Sequence, residues 1–349
     1  MKTDQTNSIV QFIINLNLGP LRPFSMKITI IFLSLVLPST LFSQSNQIYN
    51  LQDFHALSDS VFLLLHNEDH SNLASLYDKS SNTITREFVS RGRGPGEIEN
   101  LGAFIVDNNN ESIFLSDFNS SRLTQYDING LLINEKVMPT QYITSLSYYN
   151  ETLISSNSFF AFPSEIDNKK VLISYLIDVT DFSITDSLFF NIKELPLEQI
   201  KGIEKLQFLK LSPKVVQIAS DLFFLVFEQI NYVFLIDRES NILDKVVIDI
   251  PNYEMIKTVT HPEYGTGTRT RDIFNDFSQF KDGVLFTYGD QSLGVPFGVL
   301  NLTANKDKIV SQIYPLKNQK ELGTEKFSIT QFDNKIWGFD GSKFIELTF

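Results

Sequence analysis

Four acidic residues, Asp117, Glu228, Asp290 and Asp340, each close a short apolar stretch, and His66 and Asn157 hold the equivalent place in two others. If such stretches are arranged about an axis, oxygen-bearing side chains repeated at one position converge, and clustered carboxylates hold a hard cation such as Ca²⁺. The same residue types end strands and cap turns by accepting hydrogen bonds from backbone amides. Both readings apply to Asp117, Glu228, Asp290 and Asp340, and Ca²⁺ is the cofactor that the first implies.

Two segments rich in glycine and arginine are candidate anion sites. Residues 90–100 read SRGRGPGEIEN, in which Arg91, Arg93 and Glu97 are the charged groups, with either arginine placed to pair with Glu97 across the turn. Residues 265–271 read GTGTRTR, so Arg269 and Arg271 can offer forked donors to a carboxylate or sugar acid. With His261 and Tyr264 they are expected to form part of a lid. Neither segment has the glycine-lysine grammar of a phosphate loop. The four histidines have no zinc-like spacing, and no G-x-S-x-G elbow supports a serine nucleophile.

The composition narrows the partners. A net charge of −12 leaves no basic footprint for nucleic acid. There is no cysteine, which excludes disulfides, thiolate metal sites and a cysteine nucleophile. With 42% hydrophobic residues, 31 Phe and 12 Tyr among 349 residues, the chain can fill a large core.

Residues 26–43 have the basic, apolar and small-residue regions of a secretory signal peptide: Lys27, the run from Ile28 to Leu37, then Pro38 to Ser43. Residues 1–25 are then a leader upstream of the true start at Met26, and residues 44–349 are the exported domain, periplasmic or extracellular. The apolar run is short for a bilayer span, which needs about 20 residues. A monomer without a stable membrane anchor after cleavage is expected.

Behind these candidates lies a repeat of about 50 residues, within the range of propellers and solenoids. Its clearest copy, residues 103–137, holds four short alternating stretches, AFIVD, ESIFLS, RLTQYD and LLINEKV, separated by NNN, DFNSS and ING. Similar sets begin near Asp53, Ile143, Lys214 and Asp276, and a last one after residue 328 holds only three stretches. An acidic or amide residue ends the third stretch of each full set: Asp78, Asp127, Asp178, Asp237 and Asn301. The expected fold is all-β, a six-bladed β-propeller of four-stranded blades. Residues 45–51 are expected to supply the strand missing from the last set and so close the ring, and residues 193–210 have room for a short helix.

The segment FVSRGRGPGEIENLGAFIVDNNNESIFLSDFNSSRLTQYDINGLLI resembles six-bladed propellers of the TolB-like and NHL-repeat-like type found in exported proteins of Bacteroidetes. There a GRGPGE loop follows the first blade, and a string matching Asp117, Arg122, Leu123, Tyr126, Asp127 and Gly130 follows in the second. The resemblance spans about residues 86–135. It implies fold and export, and no particular activity.

In such a ring the connections from fourth to first strand and from second to third strand open on one face. Arg91, Arg93, Glu97, Asp117, Arg122, His261, Arg269 and Arg271 then lie on the face expected to contact a ligand or partner, whether protein, small molecule or carbohydrate. The leading expectation is an exported binding module. Its rivals are a hydrolase or lyase using a channel-bound divalent cation and a purely structural envelope-assembly protein. The GRGPGE loop itself reads as a connector between blades, because three glycines and Pro95 suit an abrupt reversal from rim to hub.

Overall fold

The computed structural model describes residues 51–349 apart from 67–69, 108–110, 140–142, 163–168, 198–199, 201, 204–205, 207, 262–264, 271, 281–282, 291–294, 318–328, 333–334, 340–343 and 348–349. Blade one is an antiparallel sheet of β1 (Leu51–Ala56), β2 (Val61–His66), β3 (Asn72–Asp78) and β4 (Thr83–Ser90) in chain order. Blade two repeats the order with β5 (Leu101–Asp107), β6 (Ser112–Asp117), β7 (Arg122–Asp127) and β8 (Leu132–Val137). Blade three uses β9 (Ile143–Tyr149), β10 (Thr152–Asn157), β12 (Lys170–Asp178) and β13 (Ile184–Asn191). A two-stranded ribbon of β11 (Phe159–Ala161) and β14 (Leu209–Leu211) stands beside it.

Blade four holds β15 (Pro213–Ala219), β16 (Leu222–Phe227), β17 (Ile230–Asp237) and β18 (Ile242–Val247). A hairpin of β19 (Ile256–His261) and β20 (Gly265–Thr270) precedes blade five, which holds β21 (Phe274–Phe280), β22 (Gly283–Asp290), β23 (Val295–Asn305) and β24 (Lys308–Pro315). Of blade six the described residues give β25 (Ile329–Phe332), β26 (Lys335–Phe339) and β27 (Phe344–Glu346). This is the expected six-bladed propeller.

The sequence pattern follows radial position. First strands lie against one another around the axis: β5 against β9, β9 against β15, β21 against β25 and β25 against β1. Second strands are sandwiched on both faces, so β6 is buried along its whole length and reads as an apolar run. Fourth strands face solvent, and β8 and β24 carry mostly exposed side chains. Among the described residues the apolar core divides into six clusters, each shared by two successive blades. The cluster joining blade six to blade one closes the ring: the Phe62 and Phe344 rings stack with centroids 4.2 Å apart, and Trp337 meets Phe62 edge-on at 5.8 Å. A hydrogen bond from the Ala56 amide to Thr330 Oγ1, 2.8 Å long, crosses the same seam.

Several expectations change in detail. Residues 45–50, the expected closing strand, lie outside the described residues, while Leu51 belongs to β1 and pairs with His66. Asn301 does not end its strand. It pairs with Gln312 well inside β23, which runs on to a turn at Lys306, because the apolar alternation continues beyond it. Among the described residues, the place expected to hold a helix between 193 and 210 begins with a 3-10 turn at Ile192–Glu194, capped by the Asn191 side chain. It continues with turn-like hydrogen bonds from the amides of Ile200, Ile203 and Leu206 to the carbonyls of Leu197, Ile200 and Ile203. GTGTRTR is not a loop. Its first six residues form β20, where β-branched Thr266, Thr268 and Thr270 favour a strand.

Candidate functional site

The connector from blade one to blade two is fastened to the fold at nearly every polar group. Arg91 runs backwards, its Nε and Nη2 donating to the carbonyl oxygens of His70 and His66 at 3.0 and 2.6 Å. Arg93 grips Glu99 through two hydrogen bonds of 2.9 and 2.7 Å, an exposed pair that holds the Glu99 carboxyl below its usual range. Glu97, expected to pair with one of these arginines, folds back to accept from the Gly94 amide at 2.8 Å. The reason is local: Glu97 Oε2 lies where a Cβ on Gly92 would stand, so the absence of side chains at 92 and 94 lets the carboxylate tuck under the turn.

Blade two receives this loop. Arg122, almost fully buried, donates to the carbonyl oxygens of Gly94 and Glu97, both at 2.7 Å. Its Nη1 lies 3.4 Å from Glu135 Oε2, and that oxygen also accepts from the Gly96 amide at 2.8 Å. The Tyr126 hydroxyl donates to the Gly96 carbonyl at 2.7 Å, and burial pushes its pKa up to about 12. Asp117 accepts from the amides of Glu99, Asn119 and Ser120. Burial works against its charge, but these hydrogen bonds, led by the Glu99 amide, hold its pKa below the usual value. Asp127 accepts from the Leu131 amide at 2.7 Å, and Gly130 takes φ +78 where a Cβ would fall 2.4 Å from Phe88 Cγ. Asp117, Arg122 and Tyr126 thus hold the connector, Asp127 and Gly130 shape the turn beside it, and Leu123 fills the core between blades two and three.

The remaining candidates are dispersed. Glu228 forms an ion pair with Lys214, Oε1 to Nζ 3.0 Å. The backbones of His261 and Arg269 pair within the β19–β20 hairpin, with Gly265 and Lys257. Asp290 ends β22 opposite Val295. Arg271, Tyr264 and Asp340 lie outside the described residues. No group of three His, Asp or Glu suited to a metal ion occurs among the described residues.

Of the charges that meet at the axis, sequence singled out Glu228 but not Lys214, Asp276 or Asp53. Lys214, near the start of β15, is buried among the carboxylates of Glu228, Asp276 and Asp53. Burial opposes its charge, but those carboxylates, Glu228 foremost, raise its pKa above the ordinary lysine value. Asp276, near the start of β21, accepts from the amides of Phe277 at 2.8 Å and Ile329 at 3.1 Å, the latter on blade six. Its carboxyl is raised by burial and by Glu228, against the pull of Lys214. Asp53 accepts from the Phe54 amide in the same manner. A repeated Asp-Phe pair entering blades one and five, each beside an irregularity in the strand register, is the signal that could have found them.

Asp276 of this cluster also lines a cavity of about 300 Å³ between the first strands. Phe54, Phe104, Leu146, Phe277 and Ile329 line it from five blades, and Asp107, Tyr148, Asp276 and Gln279 give it polar groups. Lys214 Nζ lies 5.9 Å from the Phe277 ring centroid, so cluster and cavity share a wall.

A family profile agrees with this architecture. The profile of a family (DUF5128) described as a 6-bladed beta-propeller matches residues 84–210, from the outer strand of blade one to the ribbon beside blade three. The fold is a six-bladed β-propeller. No curated protein matches the sequence. Among solved structures, the chain is similar to a Bacteroides fragilis protein described as exported, at 16% identity over 85% of this chain and 81% of that one, with a TM-score of 0.47. It is also similar to the computationally designed Ika8 protein, at 7% identity over 85% and 82% of the two chains with a TM-score of 0.42. The β-propeller domain of Cps50 (Swd1) from Myceliophteria thermophila is similar at 9% identity over 86% and 88%, with a TM-score of 0.43.

Proposed function

We propose that the protein is an exported binding module whose ligand enters the axial channel from the face that carries the connecting loops. The observation that carries this reading is a cavity of about 300 Å³ lined by Asp276 and Phe277, beside which Lys214, paired with Glu228 at 3.0 Å, brings its Nζ to 5.9 Å from the Phe277 ring centroid. Burying a lysine and several carboxylates is costly, and buried ionic groups are weak contributors to stability. The cavity joins apolar and aromatic side chains to several polar groups, and convergent polar groups in a concavity are what fix the orientation of a small-molecule ligand. Export rests on the signal-peptide pattern of residues 26–43.

Native mass spectrometry on protein taken from the envelope fraction of producing cells tests the reading. A non-covalent mass above the bare chain is expected, lost in a Ser278→Trp variant that fills the cavity while melting normally. The bare mass in both proteins overturns it. N-terminal sequencing of the same sample is expected to begin at Gln44, and retention of residues 1–25 defeats the export assignment.

A further inference from the structure

The channel described above carries carboxylates beside aromatic residues. At its mouth Lys214 stands with Glu228 and Asp276, and His55 is the basic residue of the cavity lining. Lys214 is committed to Glu228 at 3.0 Å. Asp276 is the carboxylate that reaches into the cavity, and its hydrogen-bond donors are two backbone amides. Amides satisfy its lone pairs but supply no formal charge.

Phe277, next to Asp276 in β21, lines the cavity together with Phe54, Phe104 and Tyr148, while His55, Ser278 and Gln279 add polar groups to the same lining. Aromatic faces attract cations, most strongly where water is excluded. Asp107 adds a second carboxylate to the lining. A phosphate or carboxylate ligand would meet like charge at both places. A metal ion needs three or more converging oxygen or nitrogen ligands, and the described residues offer no such group.

We propose that the channel selects a small organic ammonium ion, its charge set against Asp276 and its carbon substituents against the Phe277 ring. The inference rests on the reading of the channel as a ligand site and adds the ligand's chemical class. A volume of about 300 Å³ limits the ligand to the size of a small amine or amino alcohol.

Calorimetric titration of the full chain with three probes of one shape decides it: choline, its uncharged isostere 3,3-dimethylbutan-1-ol, and 3,3-dimethylbutanoate. Choline is expected to bind at least about tenfold more tightly than the alcohol, and the butanoate least. Asp276→Asn keeps one acceptor oxygen, enough for one of the two amides that Asp276 serves through Oδ1 and Oδ2, and removes the charge; it is expected to abolish the preference for choline over the alcohol. Phe277→Leu, which keeps the site apolar, is expected to weaken choline more than the alcohol. Should Asp276→Asn fail to fold, the Phe277→Leu comparison still decides. Equal binding of alcohol and choline, or a preference that survives both substitutions, overturns the inference. If that unselective binding is lost in Ser278→Trp, the channel remains a ligand site of another class. No heat with any probe overturns cation selectivity, and the envelope-derived mass then judges the channel reading separately.

Discussion

Arg122 donates to the carbonyl oxygen of Gly94 across 2.7 Å, although 28 residues separate them in sequence. One guanidinium serves two carbonyls of the connector between blades one and two while its Nε donates to Ser120 Oγ at 2.9 Å. Lysine cannot reproduce this, because an ammonium is a point donor rather than a planar fork. Arg122→Lys is expected to lower stability by about 2 kcal/mol, and Arg122→Ala by about 3 kcal/mol, since both carbonyls then lose a charged donor. Urea unfolding monitored by Trp337 fluorescence measures both. Midpoints equal to the parent's would show that the loop is held by its glycines alone.

Gly130 adopts a left-handed φ of +78, and its missing side chain leaves room for Phe88 from the neighbouring blade. Gly130→Ala therefore meets two penalties, the backbone conformation and the displaced ring. A loss of about 2 kcal/mol is expected. Pairing it with Phe88→Ala, which removes the Cγ and Cδ2 atoms that the new Cβ would meet, should recover part of that loss by a double-mutant cycle, and additive losses would place the whole penalty in the backbone.

How much of this was legible in the sequence depends on whether a residue acts within its own strand or across the ring. Strand positions were legible because burial alternates along a first or fourth strand and runs unbroken along a second. Asp78, Asp127, Asp178 and Asp237 were legible as markers of the third strand, and each accepts a backbone amide of the turn that follows. The partner of Arg122 was not legible. Its acceptors in the connector are backbone oxygens, which carry no residue identity. Lys214 and Asp276 were missed for another reason: they sit on first strands of different blades and meet only because the sheet stack curves into a ring. Asp117 was found as a candidate ligand, yet its oxygens accept from three backbone amides, a use that the residue type alone could not separate from cation binding.

Phe344 stacks on Phe62 and lies within 5.7 Å of the Phe54 and Tyr77 centroids, so one side chain of the last described strand anchors much of the seam with blade one. Truncation to alanine removes those contacts and leaves a cavity that rigid sheets fill poorly. Phe344→Ala is expected to cost about 4 kcal/mol. Thr330→Val, which deletes only the hydrogen bond to the Ala56 amide, is expected to cost about 1 kcal/mol. Differential scanning calorimetry on both variants tests the seam. If Phe344→Ala melts like the parent, the ring is closed elsewhere.

His66 supplies the pH dependence. It is buried at the end of β2, with Nε2 2.7 Å from Ser75 Oγ and its ring stacked on His70 at 4.4 Å. Burial, then the charges of His70 and Arg91, lower its pKa from 6.5 to about 4. An unfolded chain therefore takes up a proton near pH 6.5, whereas the folded chain does so only near pH 4. Between those values the unfolded state binds more protons, so stability falls as the pH falls, and above pH 6.5 this group contributes no slope. The loss is about 2 kcal/mol at pH 5 and about 3 kcal/mol at pH 4. His66→Gln keeps a polar end for Ser75 but cannot titrate. Relative to the parent it is expected to lose less stability between pH 7 and pH 5, as read from urea midpoints at the two values. Parallel losses in the two proteins would mean that the imidazole takes up its proton in the folded state as readily as in the unfolded one.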